Sequence, residues 1–409
     1  MNLYNKRNID TDLKFLEYCM KNKKIYVLLK NKIVGIDSVI PLCLELNKVC
    51  GCRFTFVLFN HPTFQAITND NIVLFDAINS IGELVDLSVS SNRHVSLEKI
   101  TTVFFLIKMM YCVNYRRNYI MHFGALHEYP LDKMVKLINL SRVILCENTS
   151  YGPCSTVSNI YNYRETQIEY SESHLHKSSI LNARILIGYD KLWNYFKHDK
   201  AVNAHKVLFN NSRNSNAWID FIKSKSSSYI DNELHNAFDN QGHGHIIIVF
   251  IGRLNLDETG KYVSSFIQLI HELAKNIGDK FPVFIKPHIF SDLDFLEKCI
   301  LEGIGNYTMN YIITKLHPSV LASRAAIALF VNNSTVIHEI SNLNVPIIQC
   351  LYGFNRDEAL NESSNKSNYV MTKGMDNLSV IVNKLLSVNA SPIVYRKKQE
   401  KIDCSFLLH

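Results

Sequence analysis

The chain has 409 residues, 47% of them apolar, 20% charged and 11% aromatic, which excludes a disordered chain and exceeds what one hydrophobic core usually organises. Lys and Arg outnumber Asp and Glu by 44 to 37, and this excess of +7 is spread along the sequence, so no nucleic-acid partner is expected. Two domains of roughly 200 residues each are the natural division.

No apolar run reaches the ~18 residues that a membrane-spanning helix needs. The longest, Thr101 to Val113, is interrupted by Lys108. The first residues lead into the charged segment Asp10 to Lys14 and not into an apolar signal core, so a cytoplasmic location is expected. One dense basic cluster, Arg396, Lys397, Lys398 and Lys401, is suited to anionic lipid heads and would give at most peripheral contact with the inner membrane. The ten cysteines are scattered, several within apolar runs, and Cys50-Gly51-Cys52 has the spacing of neither a zinc knuckle nor a dithiol redox site. They are expected to be reduced and mostly buried.

Short β-rich runs alternate with longer amphipathic stretches throughout. The strands predicted in the first half are Lys24 to Leu29, Phe54 to Phe59, Tyr119 to His122, Val143 to Cys146 and Ala183 to Ile187. Helices are predicted over Ile40 to Lys48, Leu97 to Tyr111 and Leu131 to Ile138. From about Asn210 to Gly244 the composition turns to Ser, Asn, Asp and Gly, with one apolar patch at Ala217 to Ile222, which marks an interdomain region. His245 to Ile251 is an uninterrupted apolar run rich in β-branching, the pattern of a fully buried parallel strand. After it come helix Val263 to Ile277, strand Val283 to Ile285, helix Leu293 to Glu302 and strand Tyr311 to Ile313. Helix Pro318 to Ala325, strand Ala328 to Val331, helix Thr335 to Asn342 and strand Pro346 to Gln349 complete the series. The alternation predicts an α/β protein with two doubly wound, Rossmann-like domains facing across a cleft. Expected bounds are 1–205 for the first domain, 206–244 for the interdomain region, 245–385 for the second domain and 386–409 for a basic tail. No GxGxxG opens either half and no GxxxxGK[ST] occurs, which lowers dehydrogenases and P-loop NTPases.

Polar residues follow each predicted C-terminal strand. They are Gly252-Arg253 through Asp257, Lys286-Pro287-His288, Lys315-Leu316-His317 and Asn332-Asn333-Ser334-Thr335, with Glu339 one helical turn on. In a parallel sheet all of these would lie on one edge. A diphosphate or monophosphate wants cations, neutral donors and a helix N-terminus; Lys286, His288 and a helix capped by Ser334 or Thr335 provide them. His288, stiffened by Pro287 at a strand end, is placed to donate to a phosphate or leaving group. His317-Pro318 repeats the dipeptide at a helix start, where a structural role is equally open.

The run Phe250-Ile251-Gly252-Arg253, Asp257, then Phe284-Ile285-Lys286-Pro287-His288, then Asn333-Ser334-Thr335 with Glu339 resembles the donor domain of bacterial surface-polysaccharide glycosyltransferases of the GT-B type. These include the Kdo transferases of capsule and O-antigen assembly, the polysialyltransferases and, more loosely, the teichoic-acid glycerophosphotransferases. The likeness covers about residues 245–350. The spacing of Arg253 and Asp257 ahead of His288 is similar to that of the retaining β-Kdo transferases, although a glutamine is usual at the Arg253 position and Ile289 stands where a second proline is common. The resemblance implies donor contacts from Gly252, Arg253, Lys286, His317, Asn333, Ser334, Thr335 and Glu339, a nucleophilic Asp257, and CMP-Kdo as donor.

The N-terminal half is assigned the acceptor, a glycan or glycolipid. Lys32 to Ser38, containing Gly35 and Asp37, is predicted as a Gly-containing loop before a helix; Glu147, after the strand at Val143, is a candidate acceptor base, and His127 is comparable. No metal-binding DxD triad occurs at a strand end, so neither a metal nor a cofactor is expected beyond the nucleotide-sugar substrate. Alternatives on the same fold are a UDP-sugar 2-epimerase, a CDP-glycerol or sialyl-type transferase, or a non-catalytic subunit of a polysaccharide assembly complex.

Overall fold

The structure, a computed structural model, describes residues 23–29, 33–88, 95–123, 137–139, 142–146, 185–188, 205–208, 213, 215–238, 245–252, 254, 260–288, 291–331, 334, 336–343, 345–351 and 369–373. Two compact units divide the chain between Ile219 and Asp220.

The first unit holds β1 (Lys24–Leu28), α1 (Ile33–Cys50), β2 (Arg53–Leu58), α2 (His61–Gln65), α3 (Ile72–Ile81) and β3 (Gly82–Asp86). They are followed by α4 (Val95–Tyr115), β4 (Tyr119–Phe123), β5 (Val143–Cys146), β6 (Ile185–Gly188) and β7 (His205–Leu208). Its seven-stranded sheet runs β3-β2-β1-β4-β5-β6-β7 with every pairing parallel. Parallel strands bury both faces, which is why Ile25 to Leu28 and Phe54 to Leu58 are apolar and sealed from solvent apart from Thr55, itself buried and bonded to Glu83. The inner face of α4, through Met109, Cys112 and Val113, packs on Tyr26, Leu28 and Ile120 of the sheet.

One expectation is corrected here. The segment containing Gly35 and Asp37 is the first two turns of α1 and not a loop. Ile36, Val39 and Ile40 are buried, and their docking outweighs the weak helix propensity of Gly35 and of the β-branched residues; Pro41 is accommodated within the helix.

Helix α5 (Asn216–Ala237) occupies most of the polar stretch expected between the domains, and the unit boundary falls inside it. The Ala217 N–H donates to Glu45 Oε2 of α1 at 2.9 Å, which satisfies an orphan donor in the first turn with a carboxylate that the helix dipole favours. Trp218 is fully buried beside it.

The second unit continues with β8 (Ile246–Ile251), α6 (Lys261–Asn276), β9 (Val283–Pro287), α7 (Leu293–Ile304), β10 (Tyr311–Ile313) and α8 (Pro318–Ala322). It closes with β11 (Ala325–Val331), α9 (Val336–Asn342), β12 (Ile347–Leu351) and β13 (Tyr369–Lys373). Its parallel sheet runs β10-β9-β8-β11-β12-β13. Counted within each unit, the second sheet follows the order 3-2-1-4-5-6, the doubly wound Rossmann arrangement, and the first follows the same order with a seventh strand added at its end. Every residue of β8 and β11 is buried, and the core spreads from them to Phe266, Leu269 and Leu273 of α6 and Leu296 and Ile300 of α7. The expected helix Pro318 to Ala325 ends early because Ala325 opens β11, where its small side chain meets Ile246 in register.

Cys43, Cys50, Cys52, Cys112, Cys299 and Cys350 are buried thiols that form no disulfide. A hydrogen bond with Cys50 and burial hold the Cys52 thiol well above the usual thiol range, so it stays protonated.

Helix α6 lies close on α7 at Gly303. A methyl group there would stand 2.7 Å from the Ile267 carbonyl oxygen and 2.7 Å from the Ile270 Cβ. Gly303→Ala is therefore expected to destabilise the protein by about 1–3 kcal/mol, since the opposing atoms include backbone. An unchanged urea midpoint would show that the two helices part freely.

Candidate functional site

In the second sheet β8 pairs with β9 on one side and β11 on the other, so the strand order reverses between β8 and β11. Right-handed crossovers carry α6 to one face and α9 to the other; α6 packs with α7 and α8 with α9. The chain parts at this point, and open α/β sheets bind ligands in such crevices at the carboxyl ends of the strands. The two central strands are held by a parallel stack of Phe250 on Phe330, ring centroids 4.6 Å apart. Beyond their ends the Tyr262 hydroxyl of α6 bridges them: the Gly252 N–H donates to it at 2.6 Å and it donates to the Val331 carbonyl at 3.2 Å. A Cβ at Gly252 would lie 2.8 Å from the Tyr262 oxygen, so a larger residue would push the tyrosine off this bridge.

Lys286 lies near the end of the ladder in β9, and His288, Lys315 and His317 follow β9 and β10 on this same edge, as Gly252 follows β8 and Ser334 follows β11. The Lys286 ammonium donates to the Lys315 carbonyl at 3.0 Å, which ties the ends of β9 and β10 and fixes one charge on the rim. His288 is half-buried, and its carbonyl accepts from the Ser291 N–H at 2.9 Å in the turn before α7, whose N-cap is Asp292.

Glu233 of α5 joins this group, and sequence reasoning missed it. Thr314, buried at the end of β10, hydrogen-bonds its carboxylate, Lys286 lies close enough to act on its charge, and its Oε2 is enclosed without a partner among the described residues. Burial pushes the carboxyl above its ordinary range, and this prevails over the Thr314 hydrogen bond and the Lys286 charge, which both pull it down.

Ser334 caps α9, its hydroxyl accepting from the Val336 N–H at 3.3 Å. His317 and Glu339 meet beneath the rim, each with 2% side-chain exposure. His317 caps α8, its Nδ1 accepting from the Ser319 N–H at 3.2 Å. Glu339 Oε1, 3.9 Å from that nitrogen, is instead bonded by the Ser319 hydroxyl. The nitrogen accepts from Ser319 and so has no proton to give Glu339. The pair braces α8 against α9 from within.

In the first unit Asp37 is mostly covered and ion-paired with Arg213 at 3.5 Å, and Gly35 lies in the first turn of α1. Arg253, Asp257, Asn333, Thr335, Glu147 and His127 lie outside the described residues, as does the basic cluster Arg396 to Lys401. No group of three or more His, Cys, Asp or Glu side chains suited to a metal ion occurs among the described residues.

No protein-family model matches the sequence, and no curated protein does. By fold the chain is similar to the UDP-GlcNAc 2-epimerase of Methanocaldococcus jannaschii, at 11% identity over 94% of this chain and 95% of that one, with a TM-score of 0.52. It is equally similar to the UDP-GlcNAc 2-epimerase of Neisseria meningitidis bound to UDP-GlcNAc, at 11% identity over 94% and 95% of the two chains, with a TM-score of 0.51. With two parallel units of Rossmann order, this likeness defines the fold as GT-B.

Glu233 gives a signed pH dependence. Because its carboxyl holds a proton more tightly folded than unfolded, the folded state loses stability as pH rises from about 4 through the raised value. Glu233→Gln is expected to melt higher than the parent near pH 8 and at the same temperature near pH 4. Equal melting temperatures at both pH values would remove the buried charge from the account.

Proposed function

We propose that the chain is a nucleotide-sugar-dependent glycosyltransferase whose donor binds along the carboxyl edge of the second sheet. One observation carries this reading: Gly252, Lys286 to His288, Lys315 to His317 and Ser334 all lie at or just past the carboxyl ends of parallel strands, around the β8–β11 switch point. Lys286 and His288 would face the phosphate, and Ser334, with Asn333 and Thr335, would complete the anion site ahead of α9. His317 and Glu339 would hold that loop in place from below. Charge would come from side chains and backbone dipoles, with no metal called for in this reading.

The finer reading is a retaining transfer of Kdo from CMP-Kdo to a lipid-linked or oligosaccharide acceptor in bacterial surface polysaccharide synthesis. Asp257 would attack the anomeric carbon as the bond to the phosphate oxygen breaks, and CMP would leave with that electron pair while His288 donates to its phosphate. The acceptor hydroxyl would then displace Asp257 and give its proton to Glu147. The first unit is assigned the acceptor, with Gly35, Asp37 and His127 as its candidate contacts.

A second reading, a UDP-sugar 2-epimerase, is favoured by the two similar folds, both 2-epimerases, one of them bound to UDP-GlcNAc. The two readings part on product. A transferase turns over only with an acceptor and yields a sugar–acceptor product, whereas an epimerase needs no acceptor.

His288→Ala is expected to lower turnover by about 100-fold with the circular dichroism unchanged, the scale of losing one proton donor or phosphate contact. Asp257→Asn should abolish transfer while nucleotide binding persists. Near-normal rates in the first variant would return His288 to a structural role, and full activity in the second would end the retaining mechanism.

A further inference from the structure

Helix α4 carries large apolar side chains on more than one face, whereas a surface helix usually keeps them on one. Only one face is covered. Met109, Cys112 and Val113 enter the core of the first unit, whereas Ile100, Val103, Phe104, Ile107, Tyr111 and Tyr115 lie outward, Phe104 at 68% and Tyr115 at 76% exposure. Their spacing keeps them on a single stripe along the helix. Half of the exposed large hydrophobic residues among the described ones lie on this helix. Leu137, also exposed, adjoins its end, where the Asn114 amide donates to the Leu137 carbonyl at 2.8 Å.

After Glu98 near its start, the charges along the helix are all positive. From 99 to 117 the chain carries Lys99, Lys108, Arg116 and Arg117, all exposed, and no Asp or Glu. Glu83 of β3 is the acid whose charge Lys108 reaches, and Glu83 is bonded to Lys24 at 2.8 Å. At the helix end the Arg116 guanidinium lies 5.9 Å from the Tyr111 ring centroid, and the Tyr111 and Tyr115 rings are 5.2 Å apart. Two tyrosines with flanking arginines form the amphipathic edge that suits a lipid headgroup layer.

We propose that the outer face of α4 lies in the surface of an anionic phospholipid bilayer, with Phe104 and Ile107 in the acyl boundary and Lys99, Lys108, Arg116 and Arg117 among the headgroups. No helix among the described residues is long and apolar enough to cross a membrane, so this contact is in the plane of the surface. A second copy of the chain fits less well, because a two-fold contact would bring four cations against four cations. A bilayer offers an apolar layer and negative charge together.

Co-sedimentation of the full chain with vesicles tests this. Vesicles of phosphatidylglycerol and phosphatidylcholine in equal parts should pellet the protein, pure phosphatidylcholine should pellet much less, and added salt should weaken binding. Phe104→Ser with Ile107→Ser should lower binding by roughly tenfold at an unchanged melting temperature, since both side chains are exposed in the free protein. Lys99→Ser with Lys108→Ser should weaken binding to anionic vesicles alone. Substituting Arg396, Lys397 and Lys398 by serine should leave most of the binding in place. The proposal is overturned by equal binding in the parent and the apolar pair, by binding lost through the tail alone, or by a dimer that the apolar pair turns to monomer without any vesicle binding.

Discussion

The reversal of strand order between β8 and β11 is the constraint on which the second unit depends. A parallel sheet permits only right-handed crossovers, so the helices leaving these two strands go to opposite faces and the backbone opens between them. That opening would leave polar strand ends without partners. Here the Tyr262 hydroxyl spans it, accepting from Gly252 and donating to Val331, while the Phe250–Phe330 stack closes the layer beneath. The two strand ends are thereby tied to each other through one side chain of α6.

Around this point the rim is built in two tiers. Lys286, His288 and Ser334 form the upper tier, with the Lys286 charge fixed by the Lys315 carbonyl. His317, Ser319 and Glu339 form the lower tier, where enclosed hydrogen bonds lock α8 to α9. Glu233 enters from α5 and sets a carboxylate beside Lys286, so the electrostatics of the rim depend on a helix that begins in one compact unit and continues into the other.

Much of this was legible in the sequence because fully buried parallel strands are continuous apolar runs. Ile246 to Ile251 and the segment ending at Val331 announce themselves, and the residues that follow such strands must share one edge. Lys286, His288 and Ser334 could therefore be placed from local order alone. Strand β3, with the sequence Gly-Glu-Leu-Val-Asp, is a half-exposed edge strand and carries no such run; β7 and β13 are short and mixed. Helix α5 is polar enough to read as a linker, and its docking through Ala217 and Trp218 is a tertiary effect. Glu233 and Tyr262 were missed for the same reason: each reaches the rim from a helix, and Tyr262 in an amphipathic segment looks like any core-facing aromatic.

The central claim is that the carboxyl edge of the second sheet binds a nucleotide, and thermal melting of the whole protein with CMP, CDP and UDP tests it most directly. A ligand that binds only the folded state at about 100 times its Kd adds roughly 2.7 kcal/mol, enough to raise the melting temperature by several degrees. The account predicts such a saturable rise with at least one of the three nucleotides, lost or much reduced in Lys286→Ala. No rise with any of them, or an equal rise in Lys286→Ala and Ser334→Ala, would contradict it.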